Sequence, residues 1–199
     1  MSLTNELSQA KVVIGIGSNI DPENNILKAR QVLQEAFPSI VFSSLFKCQA
    51  IGFSGDDFIN LVAYFELGDI LTLSSKTSTL NNQPIDMDHS CEQQMVGLLS
   101  KLLKSIESSL GRKKELQKFS ARCIDIDILL LADACISQPV KLPRDEILDN
   151  AYVLWPLAEL LPQMKHPEKQ QTFAKLWQQF DCSKQKINLY ESPSFKSGA

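Results

Sequence analysis

Two aspartates, Asp125 and Asp127, sit two residues apart in the otherwise apolar run Arg122-Cys-Ile-Asp-Ile-Asp-Ile-Leu-Leu-Leu131. The run is short, rich in Ile and Leu and flanked by polar segments, which predicts a strand buried on at least one face. A side-chain period of 2 then sets both carboxylates on one face and turns Ile124, Ile126 and Ile128 toward the core. Neighbouring ionised carboxylates repel, and burial raises the cost, unless something positive sits between them. A hard divalent cation such as Mg²⁺ answers that need, bound through one or two carboxylates plus the phosphates of a substrate. The plainer alternative is a solvated strand face whose aspartates pair with Lys or Arg, and a short motif alone does not choose between them.

The neighbouring residues weigh on the choice. Arg112, Lys113, Lys114, Lys118 and Arg122 place five positive charges just ahead of the carboxylates. Cations beside a metal site suit a polyphosphate, although such a loop taken alone reads equally well as a solvated connector. Asn60, inside Phe58-Ile-Asn-Leu-Val62, can donate and accept through one amide, which matches the edge of a heterocycle. A buried Asn bonded to backbone is the commoner arrangement. Phe58 and Tyr152 could stack on a planar ligand or simply serve the core. Gly15-Ile-Gly17-Ser-Asn19 follows a strand and precedes a helix, but Ile20 stands where a dinucleotide-binding fingerprint needs its third glycine. No Gly-Lys-Ser/Thr phosphate loop occurs, so the segment by itself is a tight turn.

The 199 residues, 44% apolar and 22% charged, fit one soluble domain, 1–199, with a core over about 10–181. A net charge of −3 provides no basic field for nucleic acid or an anionic membrane. His89 and His166 are the only histidines, which excludes a multi-histidine metal site. Five dispersed cysteines without a Cys-x-x-Cys pair argue against a disulfide framework or structural zinc and suit a reducing cytosol. Met1 to Ala10 lacks the charged and apolar regions of a secretory signal, and no apolar stretch approaches membrane-spanning length, so the expected location is cytoplasmic.

The elements that must position these residues follow from periodicity. Lys11 to Gly17 predicts a first strand. Asp21 as N-cap and Pro22 at the first helical position open a helix whose stripe is Ile26, Ala29, Val32, Leu33, Ala36 and Phe37. Ile40 to Phe46 and Phe58 to Leu67 predict strands. Thr72 to Ser90, polar and without either period, predicts a surface insertion. Ser90 and Gln93 resemble a capping box for a helix whose buried stripe is Met95, Leu98, Leu99, Leu102, Leu103, Ile106 and Leu110, closed by Gly111. After the Asp-x-Asp strand, Val140 to Leu142 predicts a short edge strand. Tyr152 to Leu161 predicts a helix placing Trp155 in the core, Phe173 to Phe180 a last helix, and 192–199 a loose tail. The order strand-helix-strand-strand-helix-strand is a split βαβ plan: an α+β domain with an antiparallel sheet and helices packed on one face.

Taken together, Gly17-Ser-Asn19, Asp57-Phe-Ile-Asn60, Ile106-Glu107 with Gly111-Arg112, Arg122-x-x-Asp-x-Asp-Ile-Leu129 and Tyr152-Val-Leu-Trp-Pro-Leu157 resemble, in order, the motifs of 6-hydroxymethyl-7,8-dihydropterin pyrophosphokinase. The resemblance covers roughly Val12 to Pro162. It implies a ferredoxin-like fold and transfer of the β,γ-pyrophosphoryl group of ATP to the pterin hydroxymethyl group, releasing AMP, in folate biosynthesis. By the same resemblance Asp125 and Asp127 bind two Mg²⁺ ions, and Asn60, Phe58 and Tyr152 bind the pterin. Glu107, Arg112, Arg122 and Arg144 serve ATP, with Arg112 and Arg122 on the catalytic loop. Mg²⁺-assisted transfer by positioning and charge neutralisation agrees with the residues themselves.

Four places depart from the family pattern. Phe119-Ser-Ala-Arg122 replaces Trp-Gly-Pro-Arg, Leu142-Pro-Arg144 replaces Leu-Pro-His, Asn150 replaces an arginine, and Cys48-Gln49 replaces Thr-Pro. They raise a second reading, a divergent paralogue that binds pterin or nucleotide with little turnover. A nucleotidyltransferase would need its carboxylates close behind the Gly-Ser turn, whereas Gly17 and Asp125 are far apart in sequence. An RNA-binding ferredoxin-like module would need a basic, aromatic sheet.

Overall fold

A computed structural model describes residues 8–50, 52, 55–76, 89–112, 121–192 and 195. Its strands are β1 (Lys11–Ser18), β2 (Val41–Phe42), β3 (Leu45–Cys48), β4 (Phe58–Glu66), β5 (Asp125–Leu131) and β6 (Ile187–Tyr190). Its helices are α1 (Pro22–Ala36), α2 (Leu67–Lys76), α3 (His89–Ser109), α4 (Glu146–Asp149), α5 (Ala151–Leu160) and α6 (Phe173–Gln179). The sheet order is β5-β1-β4-β3-β6, with β2 also on β4, and the pairings are antiparallel. This is the expected ferredoxin-like α+β plan.

Alternation on the central strands builds the main core. Val12, Ile14 and Ile16 of β1, Ile59, Leu61, Ala63 and Phe65 of β4, and Ile126 and Ile128 of β5 share one apolar cluster. Ile26, Ala29 and Leu33 of α1 and Val96, Leu99 and Leu103 of α3 close it. The opposite face is not bare, as a one-sided plan would have it. Val13, Val62, Leu129 and Leu130 meet Val153, Leu154 and Leu157 of α5 and Phe173 of α6 in a second cluster. A register shift at Val13/Ile14 makes this possible. The bulge lets consecutive Leu129 and Leu130 serve the same side, which is why this end of β5 has no polar alternation.

Several local expectations change. Asp21 precedes α1 but its side chain makes no capping bond; it adopts φ 41° and accepts from Asn24 Nδ2 at 2.9 Å. The single strand over Ile40 to Phe46 is broken at Ser43, whose Oγ accepts from Val62 N at 3.0 Å. Thr72 to Lys76 is helical, within α2, and α3 begins at His89, so Ser90 lies inside the helix rather than capping it. The rest of the expected insertion, 77–88, lies outside the described residues. Val140 forms no strand, and Leu142 makes an isolated bridge with Ile136. Trp155 is half-buried between Phe46 (4.9 Å) and Trp177 (5.2 Å) rather than in the core. Strand β6 was not foreseen. It pairs with β3, and beyond it Ser192 is buried and Phe195 lies over the Arg30 guanidinium at 5.5 Å, so these two residues of the expected loose tail are packed.

Candidate active site

The site begins with the register of three strands. Gly17 of β1 pairs with Asn60 of β4 on one side and Asp125 of β5 on the other. Gly15, one pleat along, pairs with Val62 and Asp127. Asn60 and Asp125 therefore stand on the same face two strands apart, about 10 Å by ordinary strand spacing, with only a glycine between them. A Cβ on Gly17 would come within 2.8 Å of Asn60 Oδ1. The bare glycine floor is what lets that amide lie flat on the sheet.

The Gly-Ser-Asn turn proves to be a clamp. Ser18 Oγ donates to Cys123 O at 2.6 Å, and Asn19 N donates to Arg122 O at 3.0 Å. Asn19 Oδ1 accepts from Arg122 N at 2.6 Å, and Asn19 Nδ2 reaches Asp56 O at 3.2 Å. The end of β1 thus fixes the two residues that lead into β5 and ties them to the segment before β4.

Helix α3 delivers the other half. Gly111, at φ +91°, closes the helix: its N–H donates to Ser108 O at 3.1 Å, and Arg112 N donates to Glu107 O at 3.0 Å. This paired closure is the Schellman arrangement. It aims Arg112 back at the helix, where Nη1 lies 2.5 Å from both Glu107 Oε1 and Asp125 Oδ1. Glu107, 1% exposed, also accepts from Ile126 N at 2.6 Å and Lys104 Nζ at 2.9 Å. Burial pushes its carboxyl up, and Lys104, the Ile126 N–H and Arg112 oppose the rise.

Asp125 accepts from Arg112 on one oxygen and from Arg122 on the other. Burial would raise its pKa, but Arg122, Arg112 and Lys104 together hold it below the ordinary aspartate value. Asp127 differs. Burial and the charge of Asp125 push it up, and Lys104, Arg144 and Arg122 offset this only in part. Arg144 donates to Glu146 Oε1 at 2.7 Å while its Nε is buried without a hydrogen bond among the described residues.

The expected pterin residues lie across the glycine floor. Asn60, 7% exposed, donates Nδ2 to Cys48 Sγ at 3.1 Å, and burial pushes that thiol up to about 11. Phe58 begins β4 on the same face, its ring 3.7 Å from where a Gly17 Cβ would be. Tyr152, in the first turn of α5, lines a cleft of ≈ 410 Å³ with Cys48, Gln49 and Ala50. Burial lifts its phenol to about 12, and the charges of Cys48, Glu146, Asp125 and Asp127 add to the rise. Gln185, just before β6, lines the cleft too; it accepts from Ala151 N at 2.8 Å and donates to Asp149 O at 2.7 Å, pinning the start of α5.

Sequence reasoning missed Lys104, Gln185 and the clamp. Lys104 carried a faint signal, its i, i+3 spacing to Glu107 on a helix. The expected loop cations Lys113, Lys114 and Lys118, with Phe119 and Ser120, lie outside the described residues. Among the described residues no set of three or more His, Cys, Asp and Glu side chains is arranged to hold a metal. The protein therefore offers two hard carboxylates. That fits Mg²⁺, which keeps waters and takes substrate phosphate oxygens to complete its shell.

Fold and site together are a ferredoxin-like α+β frame carrying a carboxylate pair ringed by cations. A crystal structure of a Plasmodium falciparum HPPK-DHPS variant with SDX-DHP superposes with a TM-score of 0.56, covering 85% of this chain and 45% of that one at 15% identity, a likeness of fold. The family model 7,8-dihydro-6-hydroxymethylpterin-pyrophosphokinase matches residues 13–162. A 2-amino-4-hydroxy-6-hydroxymethyldihydropteridine pyrophosphokinase of Aquifex aeolicus is 32% identical over 161 residues, 79% of this chain and 84% of its own. One of Synechocystis is 27% identical over 175 residues, 86% and 76% of the two chains. The chain belongs to the 6-hydroxymethyl-7,8-dihydropterin pyrophosphokinase family.

Proposed function

We propose that the protein transfers the β,γ-pyrophosphoryl group of ATP to the hydroxymethyl oxygen of 6-hydroxymethyl-7,8-dihydropterin, a step of folate biosynthesis. The carrying observation is the row Asn60–Gly17–Asp125 across three strands. It sets a heterocycle-reading amide about 10 Å from a carboxylate ringed by cations, a span that suits a pterin on one side and a phosphate chain on the other. Family membership supplies the names of the two substrates.

Each residue then has work to do. Asn60 pairs with the pterin edge, and Phe58 and Tyr152 hold its faces. Asp125 and Asp127 would hold Mg²⁺, two ions by family resemblance, whose contribution when bound is to neutralise phosphate charge. Arg112 and Arg122 share Asp125, so both guanidinium groups would flank phosphates bound at that carboxylate. Charge held there before reaction favours the transition state without reorganisation. Arg144 adds a cation on the Asp127 side. Glu107 serves the nucleotide site from beneath, holding Arg112 in place. The hydroxymethyl oxygen bonds to Pβ as the bond between Pβ and the Pα–Pβ bridging oxygen breaks; that oxygen leaves on AMP with the bonding electrons, and the hydroxyl proton is released to solvent.

The test is AMP release from Mg-ATP and the dihydropterin. Purified protein should release AMP and pterin pyrophosphate in equal amounts. Asp127→Asn should lose more than about 100-fold, beyond the 10- to 100-fold that partners outside a metal's first shell supply. Its melting temperature should barely move, because Asp127 is half exposed. Absence of AMP above background would refute the activity and favour the binding-only paralogue. Full activity of the variant would remove the carboxylate pair from the mechanism.

A further inference from the structure

Lys104 leans from α3 onto the carboxylate pair. Its Nζ lies 3.8 Å from Asp125 Oδ1 and 3.8 Å from Asp127 Oδ1, while its hydrogen bond goes to Glu107 Oε1 at 2.9 Å. An ammonium equidistant from two carboxylates stands where an isolated strand pair would call for a cation. The neighbouring arginines are placed differently. Arg112 is locked by the closure of α3 and bonded to Glu107 and Asp125, and Arg122 is held by the β1 clamp and bonded to Asp125. Among the described ion pairs, Lys104 is the one that reaches Asp127. Its side chain is 51% exposed on a flexible stem, so it can withdraw without unpacking anything.

We infer that Lys104 is the resident counter-ion of the carboxylate pair, which holds the cation's place in the nucleotide-free protein and yields it when ATP arrives with its metal. The inference rests on the pair being the metal site. A compact ammonium that loses its place beside the aspartates gains a phosphate oxygen instead, so its charge stays compensated throughout. Removing that charge leaves Asp127 without its ion pair beside an Asp125 still held by the two arginines, and a divalent ion should then enter more readily without nucleotide. Metal and nucleotide affinities are thereby linked, and the coupling passes through one side chain.

The test follows free Mn²⁺ by electron paramagnetic resonance during titration of nucleotide-free protein. Lys104→Gln should tighten Mn²⁺ binding about 10-fold, the scale of one unit charge near 4 Å in a wet site. Lys104→Arg, which keeps the charge, should stay within about twofold of the parent on the same reasoning. Asp127→Asn should weaken binding in both the parent and the Lys104→Gln background. Unchanged or weaker Mn²⁺ binding in Lys104→Gln overturns the counter-ion role while leaving the metal site standing. Binding indifferent to Asp127→Asn, or absent from every variant, overturns the metal assignment and the inference together.

Discussion

At Gly17 a single missing side chain serves two others. Asn60 Oδ1 lies 2.8 Å from where a Cβ would fall, and Asp125 is the register partner on the far side. Gly17 is not needed for its φ, so Gly17→Ala should fold; the cost falls on Asn60, which must move by several tenths of an ångström. Dihydropterin affinity should drop about 10-fold, the value of roughly one well-placed hydrogen bond to a buried polar group. ATP affinity should stay within about twofold, since the nucleotide cluster lies on the β5 side. Calorimetry with each ligand separates the outcomes: equal losses for both, or none for the pterin, would contradict the role of the glycine floor. The same residue scale explains which groups the sequence revealed. Asp125, Asp127 and Arg122 announced themselves because charge inside an apolar strand demands compensation. Lys104 did not, because an exposed i, i+3 Lys–Glu pair occurs on countless helices with no site beneath.

At the scale of elements, the site is held by ends rather than middles. The end of β1 clamps the lead-in to β5, and the closed end of α3 aims Arg112. Beyond α5, a turn depends on His166, which is 1% exposed and accepts at Nδ1 from Glu168 N (3.2 Å) and Lys169 N (3.3 Å). Burial lowers its pKa. The unfolded chain therefore takes up this proton at higher pH than the folded one, so stability should fall as pH drops below about 6.5 and level off once the folded imidazole protonates. His166→Asn keeps an acceptor for the two N–H groups but cannot titrate. Its melting temperature should be flatter than the parent's between pH 7 and 5; identical slopes would place the acid sensitivity elsewhere. Elements were legible where they repeat long enough to show a period. Strand β6 has four residues and gains its order from pairing with β3. Helix α2 is anchored by Leu67 and Ile70, which are buried, and runs on through Thr72 to Lys76, the start of a stretch whose composition argued for a loop. In both, tertiary contact overrides local preference.

On the scale of the whole molecule, the sheet has two covered faces and one open end. Among the described residues, helices α1 and α3 close the first face and α5 and α6 part of the second, and the candidate site lies at the end of the sheet where Asn60, Gly17 and Asp125 stand in register. One-sided packing was the natural expectation from a split βαβ order, because α5 and α6 follow the repeat unit and their destination is not written in it. The arrangement suits transfer between two bound ligands, with the proposed pterin residues on β4 and α5 and the cationic and acidic residues on α3 and around β5. The most direct test of this account is the fate of the β-phosphorus. With ATP labelled at the β-phosphate, Mg²⁺ and 6-hydroxymethyl-7,8-dihydropterin, the label should pass into the pterin product together with the γ-phosphate, leaving unlabelled AMP. Label retained in ADP, with a singly phosphorylated pterin or none, would contradict it.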